Sequence, residues 1–247
     1  MTLSEFFEKG FIGKYFFFTE KNLQNTAVIV IAAVSIMIVA YLLGSINFAI
    51  IISGRHYKQD IRDFGSKNAG MTNMMRTYGK KAAGYTLLGD ALKACFSCLF
   101  GYALLGSLGA YIAGLFCIVG HIFPIYYKFK GGKGVVTLAI TVLMCDPIVF
   151  LILFAIFAII VLFTRYISLG SVICAMLYPI ILDRVSKIFL DQTSPYIPFT
   201  MIVALLIVVK HWTNIKRLIK GEESKFSFKK SVKQPEPTEN NNHEADK

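Results

Sequence analysis

The chain has 247 residues, of which 55% are hydrophobic and only 17% charged, with a mean hydropathy of +0.58. A soluble domain carries roughly a quarter charged residues, so this apolar excess excludes a soluble globular enzyme, a disordered chain and a disulfide-stapled secreted domain. Lys and Arg number 26 against 15 Asp and Glu, a balance that fits nucleic acid, anionic lipid or an anionic substrate until position along the chain decides.

Residues 1–26 carry Phe6, Phe7, Phe11 and Phe16 to Phe18, interrupted by Lys14, Glu20 and Lys21. No small-residue cleavage site follows, so this segment reads as an interfacial helix on the outer leaflet rather than a signal peptide. A spanning helix needs ~20 predominantly apolar residues. Such runs occupy 27–53, 80–106 and 107–127, the last two separated only by a Gly-rich turn. A short run, 135–145, stops at Asp146-Pro147. Proline suits a first helical turn, so a fresh helix is expected over 147–164. Two more runs follow at 168–188 and 196–211, which predicts seven spans in an all-α polytopic membrane protein. A single kinked helix across 145–147 would make six.

Charge position supports an odd count. Loop 54–81, loop 128–134, Arg165 and everything from Lys210 onward hold 20 of the 26 basic residues. The Lys/Arg excess marks the cytoplasmic side, so the N-terminus is expected outside and the C-terminus inside. Three parts are thus predicted: the extension 1–26, a membrane domain 27–222 and a polar, disordered cytoplasmic tail 223–247. Cys95, Cys98, Cys117, Cys145 and Cys174 lie mostly in apolar runs and read as packing residues. No internal repeat of the kind common in transporters is visible.

Three cytoplasmic segments exceed what the positive-inside rule asks for. Segment 44–80 combines Gly with Ser45, Ser66, Asn68, Asn73, Arg62 and Arg76, residue types that can build an anion cradle. Segment 120–134 ends in FKGGKG, where Gly131, Gly132 and Gly134 around Lys133 would let amides and ammonium converge on one phosphate. It is not a Walker A loop, because Gly134 stands where Ser or Thr would be needed. In segment 210–221, His211 and Asn214 share a helix face, although an interfacial His-Trp pair alone would suggest anchoring. His121, and Asp90 with Lys93, read as structural. No G-x-S-x-G elbow, H-x-x-x-x-D signature or clustered metal-ligand set is present, so neither metal nor cofactor is expected.

In order and spacing these segments resemble the bacterial acylphosphate-dependent glycerol-3-phosphate acyltransferases, the PlsY family. The first motif is matched by Gly44-Ser45-Ile46, Asp60-Ile61-Arg62, Gly65-Ser66, Asn68, Gly70, Thr72-Asn73, Arg76 and Gly79. The second is matched by Gly120-His121, Pro124, Phe129 to Gly134 and Thr137, and the third by His211, Asn214-Ile215, Arg217-Leu218 and Gly221. Lys67 stands for the usual Gly and Met71 for the usual Ala, and Ala94 stands where a Gly often follows the Asp-x-x-Lys pair.

The resemblance implies acyl transfer from a fatty acyl phosphate to the sn-1 hydroxyl of glycerol 3-phosphate, giving lysophosphatidic acid and phosphate without an acyl-enzyme. It implies a site facing the cytoplasm of a bacterial cell membrane. Substrates and membrane lipids are then the partners, nucleic acid is not one, and a monomer is expected. On that basis Ser66, Arg76, Lys133, His211 and Asn214 are the expected catalytic set. Ser45, Arg62, Asn68, Asn73, Gly131, Gly132 and Ser168 are expected to bind substrate. Either His211 or substrate phosphate would take the hydroxyl proton. A transporter of phosphate esters or other organic anions is the alternative, against which all the loop cations lie at one face.

Overall fold

The computed structural model describes residues 23–226, so residues 1–22 of the expected extension 1–26 and residues 227–247 of the expected tail 223–247 lie outside the described residues. Within them the chain is all helical. The α-helices are α1 (Leu23–Ser45), α2 (Phe48–Tyr57), α3 (Met71–Tyr78), α4 (Lys80–Ile122), α5 (Val135–Cys145), α6 (Pro147–Thr164), α7 (Ile167–Leu190), α8 (Ile197–Lys210) and α9 (Trp212–Ile219). Short 3₁₀ turns at Ile61–Asp63 and Ile125–Tyr127 complete the loops.

Among the described residues, three stretches are long and apolar enough to cross a membrane: Thr26–Tyr57, Lys80–Tyr127 and Pro147–Thr164. The pair α8 and α9 is bent by 59° at its junction. Large apolar side chains such as Ile31, Ile38, Leu151, Phe154, Leu162 and Phe163 face outward, as a bilayer solvent requires. Polar groups turn inward or back. The hydroxyls of Thr86, Ser97, Thr141 and Ser171 each donate to the carbonyl four residues earlier, at 2.7–2.9 Å.

The long α4 folds back on itself. Leu105 (φ −127°) and Gly106 (φ 58°, ψ −143°) leave the helical region, making two arms where the sequence suggested a Gly-rich turn. Gly101 and Gly109 pack backbone to backbone across that hairpin, and Gly44 and Gly120 admit α1 against the second arm. Small residues replace the hydrophobic driving force that lipid-exposed helices lack. The break at 145–147 is also present: Asp146 N–H caps α5 on Val142 O, and Pro147 starts α6.

The first expected span carries a break within it. The run 27–53 is interrupted at Ile46 and Asn47, where Asn47 Oδ1 accepts from Ile50 N (3.1 Å) and opens α2. Carbonyls released by the break are taken up by a buried cation, because Lys93 Nζ donates to Gly44 O (2.9 Å) and Ile46 O (2.7 Å). Asp90 Oδ1 lies 2.9 Å from the same ammonium, and His121 Nδ1 is 2.9 Å away. The structural reading of these three residues fits this geometry, but they also bind the 44–47 segment to the helix preceding the GGKG loop.

Candidate active site

Three loops converge at one end of the bundle. In the first, Asn73 is the organiser. Its Oδ1 accepts from Ser66 N (2.9 Å) while its Nδ2 reaches the carbonyls of Ile61, Phe64 and Asn68 at 2.9–3.1 Å. Gly65 holds φ +56° directly over that amide, a position where a Cβ would collide with Asn73 Oδ1. Ser66, Asn68, Gly70, Thr72 and Arg76 thereby face a cavity of about 470 Å³.

Lys133 enters the same cavity from the second loop, and its Nζ donates to Asn214 Oδ1 on α9. Asn214 Nδ2 donates to Glu223 Oε1 (2.6 Å), which also accepts from Ser168 Oγ (2.8 Å); Glu223 Oε2 accepts from Arg217 Nε (2.7 Å). Arg76 Nη2 donates to Ser224 O (3.1 Å). His211 is buried at the α8–α9 bend with Nδ1 2.8 Å from Ile207 O. A carbonyl can only accept, so Nδ1 carries the proton and Nε2 keeps a lone pair.

The electrostatics suit an anion. Burial pushes the Lys133 ammonium down to about 8; Glu223 opposes the shift, and the cations of Arg217, Arg76 and Lys210 reinforce it. Burial likewise lowers Arg76. Burial acts to raise Glu223, but hydrogen bonds from Asn214, Arg217 and Ser168 outweigh it and hold the carboxyl below its ordinary range. Lys133, Arg76 and Arg217 thus face one carboxylate, leaving cationic charge that a phosphate would neutralise.

Four of the expected substrate residues sit elsewhere. Arg62 does not line this cavity: its guanidinium is paired with Asp60 (2.6 Å) and donates to Tyr127 O and Lys130 O, tying the first loop to the second. Ser45 is fully buried, donating to Tyr41 O and accepting from Ile125 N. The amides expected to cradle phosphate are already used, since Gly131 N donates to Ile122 O and Gly132 N to His121 O. Those glycines also permit close packing. A Cβ on Gly131 would strike His121 O, and one on Gly132 the His121 ring and Ala69 O.

The main residue missed was Glu223, assigned above to a disordered tail. The described chain stays packed through Phe226, whose N–H donates to Arg165 O (2.7 Å). The available signal was Gly221, which turns the chain back at φ +72° just before an acidic pair.

Away from the polar end the cavity is a groove walled by Leu138, Val142, Phe150, Leu153, Phe157 and Val161 among others. A cationic pocket opening into an apolar groove between membrane helices defines an enzyme or binder of a phosphorylated amphiphile.

The glycerol-3-phosphate acyltransferase family model matches residues 34–221. The chain is 45% identical to a glycerol-3-phosphate acyltransferase of Finegoldia magna over 193 residues, covering 76% of this chain and 93% of the relative. With the corresponding protein of Thermoanaerobacter pseudethanolicus it shares 40% over 201 residues, 81% of this chain and 99% of the relative. It is also similar to the crystal structure of PlsY (YgiH), an integral membrane glycerol 3-phosphate acyltransferase. The glycerol 3-phosphate form gives a TM-score of 0.71 at 33% identity, and the lysophosphatidic acid form 0.69 at 32%. Each covers 79% of this chain and 96% of the solved one. The chain belongs to the glycerol-3-phosphate acyltransferase family and is an integral membrane protein with several spans.

Proposed function

We propose that this protein acylates the sn-1 hydroxyl of glycerol 3-phosphate from a fatty acyl phosphate, at the cytoplasmic face of a seven-span bundle. One observation carries the reading: Lys133, Arg76 and Ser66 meet a groove of apolar side chains in a single cavity. A phosphate at each reacting partner calls for the cations, and only an acyl chain calls for the groove. Seven spans follow from counting the two arms of α4 separately, with α5 as a short span and the outward N-terminus set by loop charge.

In this mechanism Lys133 and Arg76 hold phosphate oxygens, and Ser66 adds a hydrogen bond. His211 Nε2 accepts a hydrogen bond from the sn-1 hydroxyl and orients it toward the acyl carbonyl carbon. Oxygen–carbon bond formation gives a tetrahedral oxyanion beside the cations. Its collapse breaks the bond to the phosphate oxygen. The departing phosphate takes the hydroxyl proton, so no side chain changes covalent state. An acyl phosphate is already activated, and a covalent acyl-enzyme is unnecessary.

Purified protein in detergent should convert palmitoyl phosphate and glycerol 3-phosphate to lysophosphatidic acid and phosphate, with negligible product from palmitoyl-CoA or acyl carrier protein. Comparable rates with acyl-CoA would overturn the donor assignment. Uptake of glycerol 3-phosphate into proteoliposomes without acyl product would favour the transporter.

A further inference from the structure

The groove has a floor. Along the helices the lining ends at Val142 on α5, Phe150 on α6 and Tyr178 on α7; the next buried residue on the α7 stripe, Leu182, packs in the same apolar cluster but does not line the cavity. From Val161 to Phe150 the α6 wall runs ~16 Å, and from Ile167 to Tyr178 the α7 wall runs about the same. Half of a ~30 Å hydrocarbon core is ~15 Å, so the groove is about one leaflet deep.

Tyr178 is held in place from behind. It is 2% exposed, and its hydroxyl donates to Asp146 Oδ2 (3.0 Å), which also accepts from Tyr111 OH (2.6 Å). Tyr111 in turn stacks on Tyr196 with ring centroids 4.1 Å apart. Asp146 is the residue between α5 and α6, so the carboxylate ties the ring to the helix break that ends one groove wall and begins another. The half-buried carboxylate accepts from both tyrosines, so displacing the Tyr178 ring would cost it one of two phenolic hydrogen bonds.

We infer that the ring of Tyr178 is the stop that sets the length of acyl chain the groove accepts. The inference rests on the acyl phosphate reading above. A chain reaching Tyr178 gains burial with every methylene, and a longer one must bend back or leave its end outside.

The test uses the full chain in detergent with lauroyl, myristoyl, palmitoyl, stearoyl and arachidoyl phosphates and saturating glycerol 3-phosphate. Wild type should rise in kcat/KM to an optimum and fall beyond it. Tyr178→Ala should move the optimum to a longer donor, with the long-to-short ratio rising at least ~5-fold, since one further buried CH₂ corresponds to ~4-fold. Tyr178→Leu is the better-packed substitute and should shift the optimum in the same direction. Tyr178→Phe keeps the ring and should keep the wild-type optimum. An unchanged optimum in active Ala or Leu variants, or an equal shift in Phe, overturns the inference. Absence of transfer from every acyl phosphate with wild type would instead overturn the donor assignment, and the length stop with it.

Discussion

Lys133 Nζ donates to Asn214 Oδ1, joining the GGKG loop to the helix that follows the last apolar run across 81 residues of sequence. The same amide passes a hydrogen bond on to Glu223, which gathers Ser168 and Arg217. The amide oxygen anchors an ammonium and the amide nitrogen a carboxylate, so Asn214 orders charges of opposite sign on its two sides.

Lys133→Ala should lower kcat/KM at least ~10-fold, since a charge-assisted hydrogen bond is worth ~1.5–3 kcal/mol and each 1.4 kcal/mol is about tenfold. Lys133→Arg should rescue only in part, because a planar fork replaces a point charge beside close backbone. Lys128→Ala, on the far side of the loop, should leave activity near wild type at moderate salt. Equal losses at both lysines would reduce the loop to a diffuse basic patch.

The pH profile should carry a limb from the same residue. Burial lowers Lys133 to about 8, so below that pH the free enzyme holds a cation and above it a neutral amine. Phosphate binding prefers the cation. Therefore kcat/KM should be full below pH 8 and fall up to tenfold per pH unit above it, as kcat/KM reports free-enzyme ionisations. In Lys133→Arg the limb should vanish, since guanidinium stays protonated throughout.

Glu223→Ala should reduce kcat/KM at least ~10-fold by leaving Asn214 and Arg217 without their shared acceptor. Combined with Lys133→Ala, the loss should fall short of the product of the single losses, because both residues act through Asn214. Strict multiplicativity would show that the carboxylate does not orient the lysine. Truncation after Glu222 should behave like Glu223→Ala or worse.

Membrane orientation can be read by labelling. In a background with the native cysteines replaced, Ser224→Cys and Lys67→Cys should react only with reagents that reach the cytoplasm. Thr193→Cys, in the exposed turn between α7 and α8, should react from outside. Labelling of Thr193→Cys and Ser224→Cys from one side would break the seven-span assignment.

Much of this architecture is local and therefore legible. The apolar runs, Pro147 at a helix start and the turn near Gly106 depend on neighbours a few residues away, and the structure places breaks at both. The break at Asn47 escaped because residues 27–53 are apolar on both sides of it, while its compensation comes from Lys93, far along the chain. Motif chemistry singled out Ser66, Arg76, Lys133, His211 and Asn214, and all five line one cavity. It could not show that Arg62 and the Gly131 and Gly132 amides have partners within the chain, because residue type reveals that a group can bind phosphate but not that Asp60, Ile122 or His121 accepts from it.

By itself, then, the sequence determined the solvent, the helices and the chemical character of the three loops, since hydropathy, proline and charge act through the chain's own neighbourhood. Only the tertiary structure decided which donors are paired within the chain, which side chains line the groove as far as Tyr178, and that Glu223 joins Asn214, Ser168 and Arg217. Each of those depends on partners brought together from distant segments, where a hydrogen bond made to one group is withheld from another.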